Sequence, residues 1–303
     1  MSAEFGRRIA LTALFTALPL AAVLGWTEWE GAIERERLER LRVATEQNFR
    51  RILQPVTEEL ALARRFARLD SLRQWLLDSG NPAKRRRFLA EAKSSRSQAR
   101  DHAWFVVERA TLDHYYQDDG LTESEAPRNR LDASDPASSA WFFNMMRDTE
   151  DYEVNVDTDV TLGISKVWFN IVVRDGDRKL AAAGTGLDLT HFLRDFVADG
   201  SNGIELMVLN ADGVIILHPD SRMITFNAVS DITKRLRTVY DLLADAASQD
   251  AVRRTLREAV GRPGSAVALP LPVHVLGRPR LLAAAYSAEL RWYIVAASQF
   301  ESR

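Results

Sequence analysis

Apolar residues between positions 28 and 77 recur at steps of three and four, through Phe49, Ile52, Val56, Leu60, Ala63 and Ala67. That period predicts a long helix with one buried stripe. Glu34, Glu36 and Glu39 alternate with Arg35, Arg37 and Arg40 on the same stretch, a pattern of intrahelical ion pairs on a solvated face. Pro55, without an N–H, is expected to bend or locally break this helix. Asn81-Pro82 marks a stop, and residues 83–99 predict a short basic helix carrying Lys84, Arg85, Arg86 and Arg87, which a solvated face explains more simply than a phosphate or lipid site. Strands follow at 103–109 and 112–116, then a polar loop over 117–134. Asp135-Pro136 opens the next helix, an Asp N-cap with Pro at the first helical position.

From Trp141 to Leu189 the period changes from helical to alternating. An aromatic helix, W-F-F-N-M-M-R-D, leads into runs rich in Val, Ile, Trp and Phe that favour strands. Alternate side chains of a strand point to opposite faces. Over 167–173 one face carries Val167, Phe169, Ile171 and Val173, a core face, and the other carries Trp168, Asn170 and Val172. Over 180–189 one face carries Ala181, Ala183, Thr185, Leu187 and Leu189; the other carries only Ala182, Gly184 and Gly186 before Asp188. A nearly bare strand face ending in a carboxylate suggests that a small molecule fills the space. Asp188 also fits a helix N-cap, since a helix is expected at 190–197, and Trp141 and Trp168 fit ordinary core positions equally well. Asn170 is more pointed, because an amide in an apolar strand must find a partner.

Gly200 and the residues after it close that short helix, and a module boundary is expected there. A second, smaller unit begins with I-E-L-M-V-L, the turn N-A-D-G and V-I-I-L-H-P, a hairpin pattern. Helices are expected at 232–247 and 249–260, and strands at 265–271, 280–287 and 292–298. The two halves share one order: a strand pair, a loop and helix, then antiparallel strands. The fold class is therefore α+β, with a long N-terminal helix ahead of two antiparallel-sheet modules.

Composition adds exclusions. The 303 residues are 46% hydrophobic and 27% charged, ordinary for a folded chain, and a net charge of -2 without a basic-aromatic block argues against nucleic acid. With no cysteine, thiol chemistry and Cys-ligated metal are excluded. Arg7 and Arg8 precede an uncharged apolar run over residues 9–26, read as a transmembrane anchor over 1–26 in preference to a cleaved signal peptide, with the rest outside the cytoplasm. His102, His114, His191, His218 and His274 are scattered without metal-ligand spacing, and no nucleotide loop or nucleophile elbow is present. No cofactor is expected. Asp157 and Asp159 suggest paired hydrolytic carboxylates only weakly, because loop acids are common.

The order of elements, with Trp141, Tyr152, G-T-G-L-D-L and L-N-A-D-G-V-I-I-L-H-P, resembles the double Cache sensor domains of bacterial transmembrane receptors. The resemblance covers nearly everything after residue 27. It implies two PAS-like modules, a membrane-distal one over 81–200 and a membrane-proximal one over 201–303, behind a stalk helix over 27–80. It also implies a non-catalytic sensor in the inner membrane, its sensor domain periplasmic, with a small-molecule ligand and a homodimer formed through the long helix. In amino-acid-sensing members an early Tyr, an Arg two residues before a Trp, a later Tyr and the Asp of a G-x-D strand form the site. Here Trp141, Tyr152 and Asp188 match, but Ser134 and Ser139 stand at the early Tyr and Arg positions. A carboxylate needs a cation or several N–H donors to replace its hydration. The resemblance therefore implies a small amine or polyhydroxyl ligand, caged by Trp141, Tyr152 and Trp168 and bonded by Asp188 and Asn170.

Overall fold

A computed structural model describes residues 2–159, 164–188, 203–224 and 236–299. The periodic N-terminal stretch is one helix, α1, spanning Ser2–Ala67. Ile52, Val56, Leu60, Ala63 and Ala67 are buried along it, with Phe49 partly buried. The charged face pairs as expected, Arg40 with Glu36 at 2.5 Å and Arg42 with Glu39 and Glu46 at 2.6 Å. Of the bend or break expected at Pro55, the break is absent: α1 runs through it as one helix. Val56 and Leu60 beside it are 0% exposed, so tertiary packing outweighs the missing backbone bond. The break falls at Arg68 and Leu69, after which α2 spans Asp70–Leu77. Asn81 caps α3, Pro82–Arg96, by accepting from the amides of Ala83 and Lys84; the expected stop is thus the start of the basic helix. The apolar run over 9–26 lies within α1, and its side chains fall outside the described part. Among the described residues no helix is long and apolar enough to cross a membrane.

The first sheet contains β1 (Trp104–Glu108), β2 (Asp113–Gln117), β3 (Asn129–Arg130), β4 (Tyr152–Asp159), β5 (Ile164–Asp175) and β6 (Arg178–Asp188), in the order β3-β2-β1-β6-β5-β4. Helix α4, Pro136–Asp148, covers one of its faces. The second sheet contains β7 (Ile204–Leu209), β8 (Ile215–Leu217), β9 (Ala266–Ala268), β10 (Val273–Val275), β11 (Arg278–Ser287) and β12 (Trp292–Gln299), in the order β10-β11-β12-β7-β8 with β9 also on β11. In each sheet the first strand lies beside the last, β1 on β6 and β7 on β12, all antiparallel. The two halves therefore repeat one topology.

Two expectations change. The helix expected over 232–247 is absent from its described part: Thr238 bridges Val214, a short 3-10 turn spans Val239–Leu242, and α5 spans Ala246–Val260. Asp241 accepts from the Thr238 amide and hydroxyl, and Asp245 caps α5 through the Ser248 amide, so the local acids terminate and restart the chain. The strand expected over 265–271 is shortened to β9, and an unexpected strand, β10, follows after Pro270 and Pro272, neither of which can donate to a ladder. The helix expected at 190–197 and the boundary near residue 200 lie outside the described residues.

Helix α1 packs on both sheets, on β5 and β6 of the first and on β9, β11 and β12 of the second. Its apolar stripe is thus used within the chain and is not a free face for a second copy. Arg64 of α1 ties the two sheets together: its guanidinium lies 4.1 Å from the Tyr152 ring centroid and 3.1 Å from the Glu289 carboxylate, and the Tyr152 hydroxyl donates to the Glu289 carbonyl.

Glu59 is 1% exposed on the same helix. Burial raises its carboxyl above the ordinary value of 4.5, opposed by the Arg100 amide that donates to it and reinforced by the nearby Asp101 charge. Among the described residues its Oε1 has no hydrogen-bond partner. A raised folded-state value means that the native chain holds this proton more tightly than the unfolded chain, so Glu59 subtracts stability as pH rises from the ordinary carboxyl range through the raised value. Glu59→Gln is therefore expected to be more stable than the parent protein at pH 7, with the difference shrinking below about pH 4.5. Chemical denaturation across pH checks this; a constant difference would contradict it.

Candidate functional site

Strand alternation divides the first sheet into an inner face, taken by α1, and an outer face. Val167, Phe169, Ile171 and Val173 of β5, and Ala181, Ala183 and Leu187 of β6, join the inner core. Phe105, Val107, Tyr116, Trp168, Val172 and Ala182 face outward and pack beneath Phe142, Met145 and Met146 of α4.

The register of β4, β5 and β6 lays polar side chains of this outer face in three rungs. Asp157, Lys166 and Asp188 form the first, Asn155, Trp168 and Gly186 the second, and Glu153, Asn170 and Gly184 the third. Asn170 is 4% exposed, and its amide donates to Asn155 Oδ1 at 2.9 Å, which supplies the partner its position requires. Burial raises the Glu153 carboxyl, with a Thr149 hydroxyl bond acting against the rise. The Lys166 ammonium is 3.0 Å from Asp101 Oδ2, with side chains 7% and 15% exposed, and the Asp188 amide donates to the same Asp101 oxygen. One end of this face therefore gathers charge, and the other is apolar.

The five expected site residues separate. Trp168, Asn170 and Asp188 share the outer face through the β5–β6 register. Trp141 is half-buried on α4 and meets the same cluster, its ring centroid 6.0 Å from that of Phe105. Trp168 is 8% exposed and packs edge-on to Phe105 at 5.7 Å, as a core aromatic does. Tyr152 does not join them. It pairs in register with Ile171, an inner-face residue, so alternation turns it toward α1, where it meets Arg64 and the second sheet. The expected cage loses that member.

The bare face of β6 also has a different cause. A Cβ at Gly186 would come within 2.7 Å of Lys166 Cδ and 3.2 Å of the Trp168 ring, and one at Gly184 would collide with the Phe169 carbonyl and meet Phe105 at 3.1 Å. Side chains of this chain fill that space, and the glycines let them lie across the strand. Ser139, at the Arg position of the resemblance, is 1% exposed and donates its hydroxyl to the Asp135 carbonyl at 2.8 Å. Lys166, Asn155, Glu153 and Asp101 were missed. Lys166 is two residues before Trp168, so the alternation reading extended by one residue beyond Val167 finds it; Asp101 has no sequence signal that places it here. His218, in the H-P pair, accepts from the Asp220 amide at 3.0 Å and lies 3.3 Å from Glu205, a loop-fixing role. Among the described residues no group of His, Cys, Asp or Glu is placed to hold a metal ion.

No family model matches the sequence. Solved structures do match. The periplasmic sensory domain of the Campylobacter jejuni chemoreceptor Tlp1 aligns over 87% of this chain and 95% of its own, with a TM-score of 0.63 at 11% identity. The ligand-binding domain of the Pseudomonas fluorescens chemoreceptor CtaA, in complex with L-isoleucine, aligns over 88% and 94%, with a TM-score of 0.56 at 12% identity. That of the Pseudomonas aeruginosa amino acid chemoreceptor PctB, in complex with L-Arg, aligns over 87% and 94%, with a TM-score of 0.51 at 14% identity. The chain has the double Cache, PAS-like fold of these sensory domains. Its two sheets with one shared long helix are that fold, and the identities carry nothing residue by residue.

Because Tyr152 lies across the sheet from Asp188, Tyr152→Phe is expected to lower stability by about 0.5–1.5 kcal/mol through the lost bond to Glu289 while leaving small-molecule affinity within about twofold. Denaturation and calorimetric titration of one variant check both halves. A large affinity loss with unchanged stability would return Tyr152 to the site.

Proposed function

We propose that this chain is the extracytoplasmic sensor region of a bacterial signal-transduction receptor. Its distal module, over 81–200, binds a small polar ligand with an amine on the outer face of the first sheet, and the proximal module, over 201–303, stacks toward the membrane. Residues 1–26 anchor it in the inner membrane and α1 relays the bound state through the stalk. The observation that carries the proposal is the polar end of the outer face, where Asn155, Asp157, Lys166, Asn170 and Asp188 converge beside Trp168 on a fold shared with chemoreceptor sensory domains. The CtaA and PctB domains take L-isoleucine and L-Arg in the structures matched, and Asp188 supplies the carboxylate an amine needs.

The relay has a physical route. The Arg64, Tyr152 and Glu289 contacts join α1 to both sheets, so a shift of β4 is felt by the helix and by the second module. Ligand energy enters signalling only to the extent that it differs between two conformations. A homodimer along α1 uses its outward face, where Val43 is 38% exposed, because the inward stripe is occupied. No catalytic step is assigned to the chain.

A second reading, a structural module without a ligand, is favoured by one observation: Phe105, Tyr116, Trp168 and Met145 fill the middle of the outer face. A thermal-shift screen over amines, amino acids, polyols and carboxylates separates the two. A ligand at one hundred times its Kd adds about 2.7 kcal/mol, so the sensor reading expects a clear rise with at least one amine-bearing class and its loss in Asp188→Ala. No rise with any class would leave the structural module.

A further inference from the structure

A cavity of about 190 Å³ lies on the inner side of the first sheet, between α1, the end of α3, the start of β1 and β6. Phe66, Ala103 and Trp104 give it apolar walls, and Thr185 lines it from β6. Burial grades across it: Ala103 and Thr185 are buried whereas Arg65 is exposed, so Thr185 marks the floor and Arg65 the mouth. Thr185 is 4% exposed, and its Oγ1 has no hydrogen-bond partner among the described residues. The hydroxyl lies close enough to the Glu59 carboxyl to favour its charged form, yet Glu59 Oε1 is likewise unpartnered. A buried hydroxyl without a partner costs stability, and valine would keep the same shape without that cost. At the mouth Arg96 is engaged, 3.6 Å from Asp119 and bonded to the Asp118 carbonyl at 3.1 Å. Arg65 makes no ion pair among the described residues.

We propose that this cavity is a second ligand site, which takes a small hydroxylated aromatic acid, its ring against Phe66 and Trp104, its hydroxyl on Thr185 and its anion on Arg65. Size fits a single substituted ring, since a cavity of about 150 Å³ holds benzene. Aromatic walls favour an aromatic ring, a guanidinium favours a carboxylate, and a buried hydroxyl needs a polar partner. The site is separate from the outer face and goes beyond the amine ligand proposed there. Alternation groups Thr185 with Ala183 and Leu187 on the side that α1 covers, whereas Asp188 belongs to the other side. An occupant therefore touches α1 directly, in its last turns before the break at Arg68 and Leu69.

Calorimetric titration of the full chain with para-hydroxybenzoate, benzoate and phenol separates the contacts. The parent protein is expected to bind para-hydroxybenzoate severalfold more tightly than benzoate, and about tenfold or more tightly than phenol. Thr185→Val brings para-hydroxybenzoate to the affinity of benzoate and leaves benzoate unchanged, while Thr185→Ser keeps the difference. Arg65→Gln weakens both acids and leaves phenol unchanged. Valine keeps the shape of Thr185 and Arg65 is exposed, so both variants are expected to fold, which thermal unfolding checks. Equal affinity for the three compounds in the parent protein, or binding of none, overturns the proposal and leaves the amine reading of the outer face standing. A folded Thr185→Val or Arg65→Gln that binds all three as the parent does overturns it as well. Loss of para-hydroxybenzoate in Asp188→Ala, with Thr185→Val unaffected, assigns the acid to the outer face and also overturns it.

Discussion

Burial of one stripe of α1 against two separate sheets is the contact on which the rest of the structure depends. Val56, Leu60 and Ala63 have no exposed surface, and the partners they share with Phe169, Ala183, Ala283 and Ile294 belong to both modules in a single core. Each fully buried aliphatic side chain contributes about 1.5–3 kcal/mol. That scale explains why the helix passes through Pro55, whose interior cost is about 3 kcal/mol, and why a carboxyl as poorly solvated as Glu59 is tolerated on it.

The same contact sets the two faces of the first sheet apart. A strand has two faces, and α1 takes one of them along β5 and β6. On the other face Lys166, Asp188 and Asp101 meet near one end. Tyr152 shows the rule from the opposite side. One residue of alternation separates it from Glu153 on the outer face, and that single step turns Tyr152 to the Arg64 and Glu289 contacts that join the two sheets.

Much of this was legible in the chain. The spacing of Ile52, Val56, Leu60 and Ala63 gave the long helix, and alternation over 167–173 separated core from outer face, because both patterns are set by local geometry. The 3-10 turn at Val239–Leu242 was not legible: its apolar residues mimic a helix, and only the Thr238 bridge to Val214 shows that the backbone is held elsewhere. The glycines of β6 looked vacant because sequence shows what a residue lacks and not which neighbour lies over it; Lys166 and Trp168 come from the adjacent strand. Asp101 was beyond reach for the same reason, being joined to Lys166 across 65 positions of sequence.

The central claim is that the outer face of the first sheet responds to a small molecule while α1 carries the response. Amide hydrogen exchange measured with and without a saturating compound that raises thermal stability tests it most directly. The account predicts added protection in β4, β5 and β6 and in the segment around Arg100 and Asp101, with a smaller change in α1 near Glu59 and Arg64. Protection confined to β7–β12, with the first sheet unchanged, would contradict it.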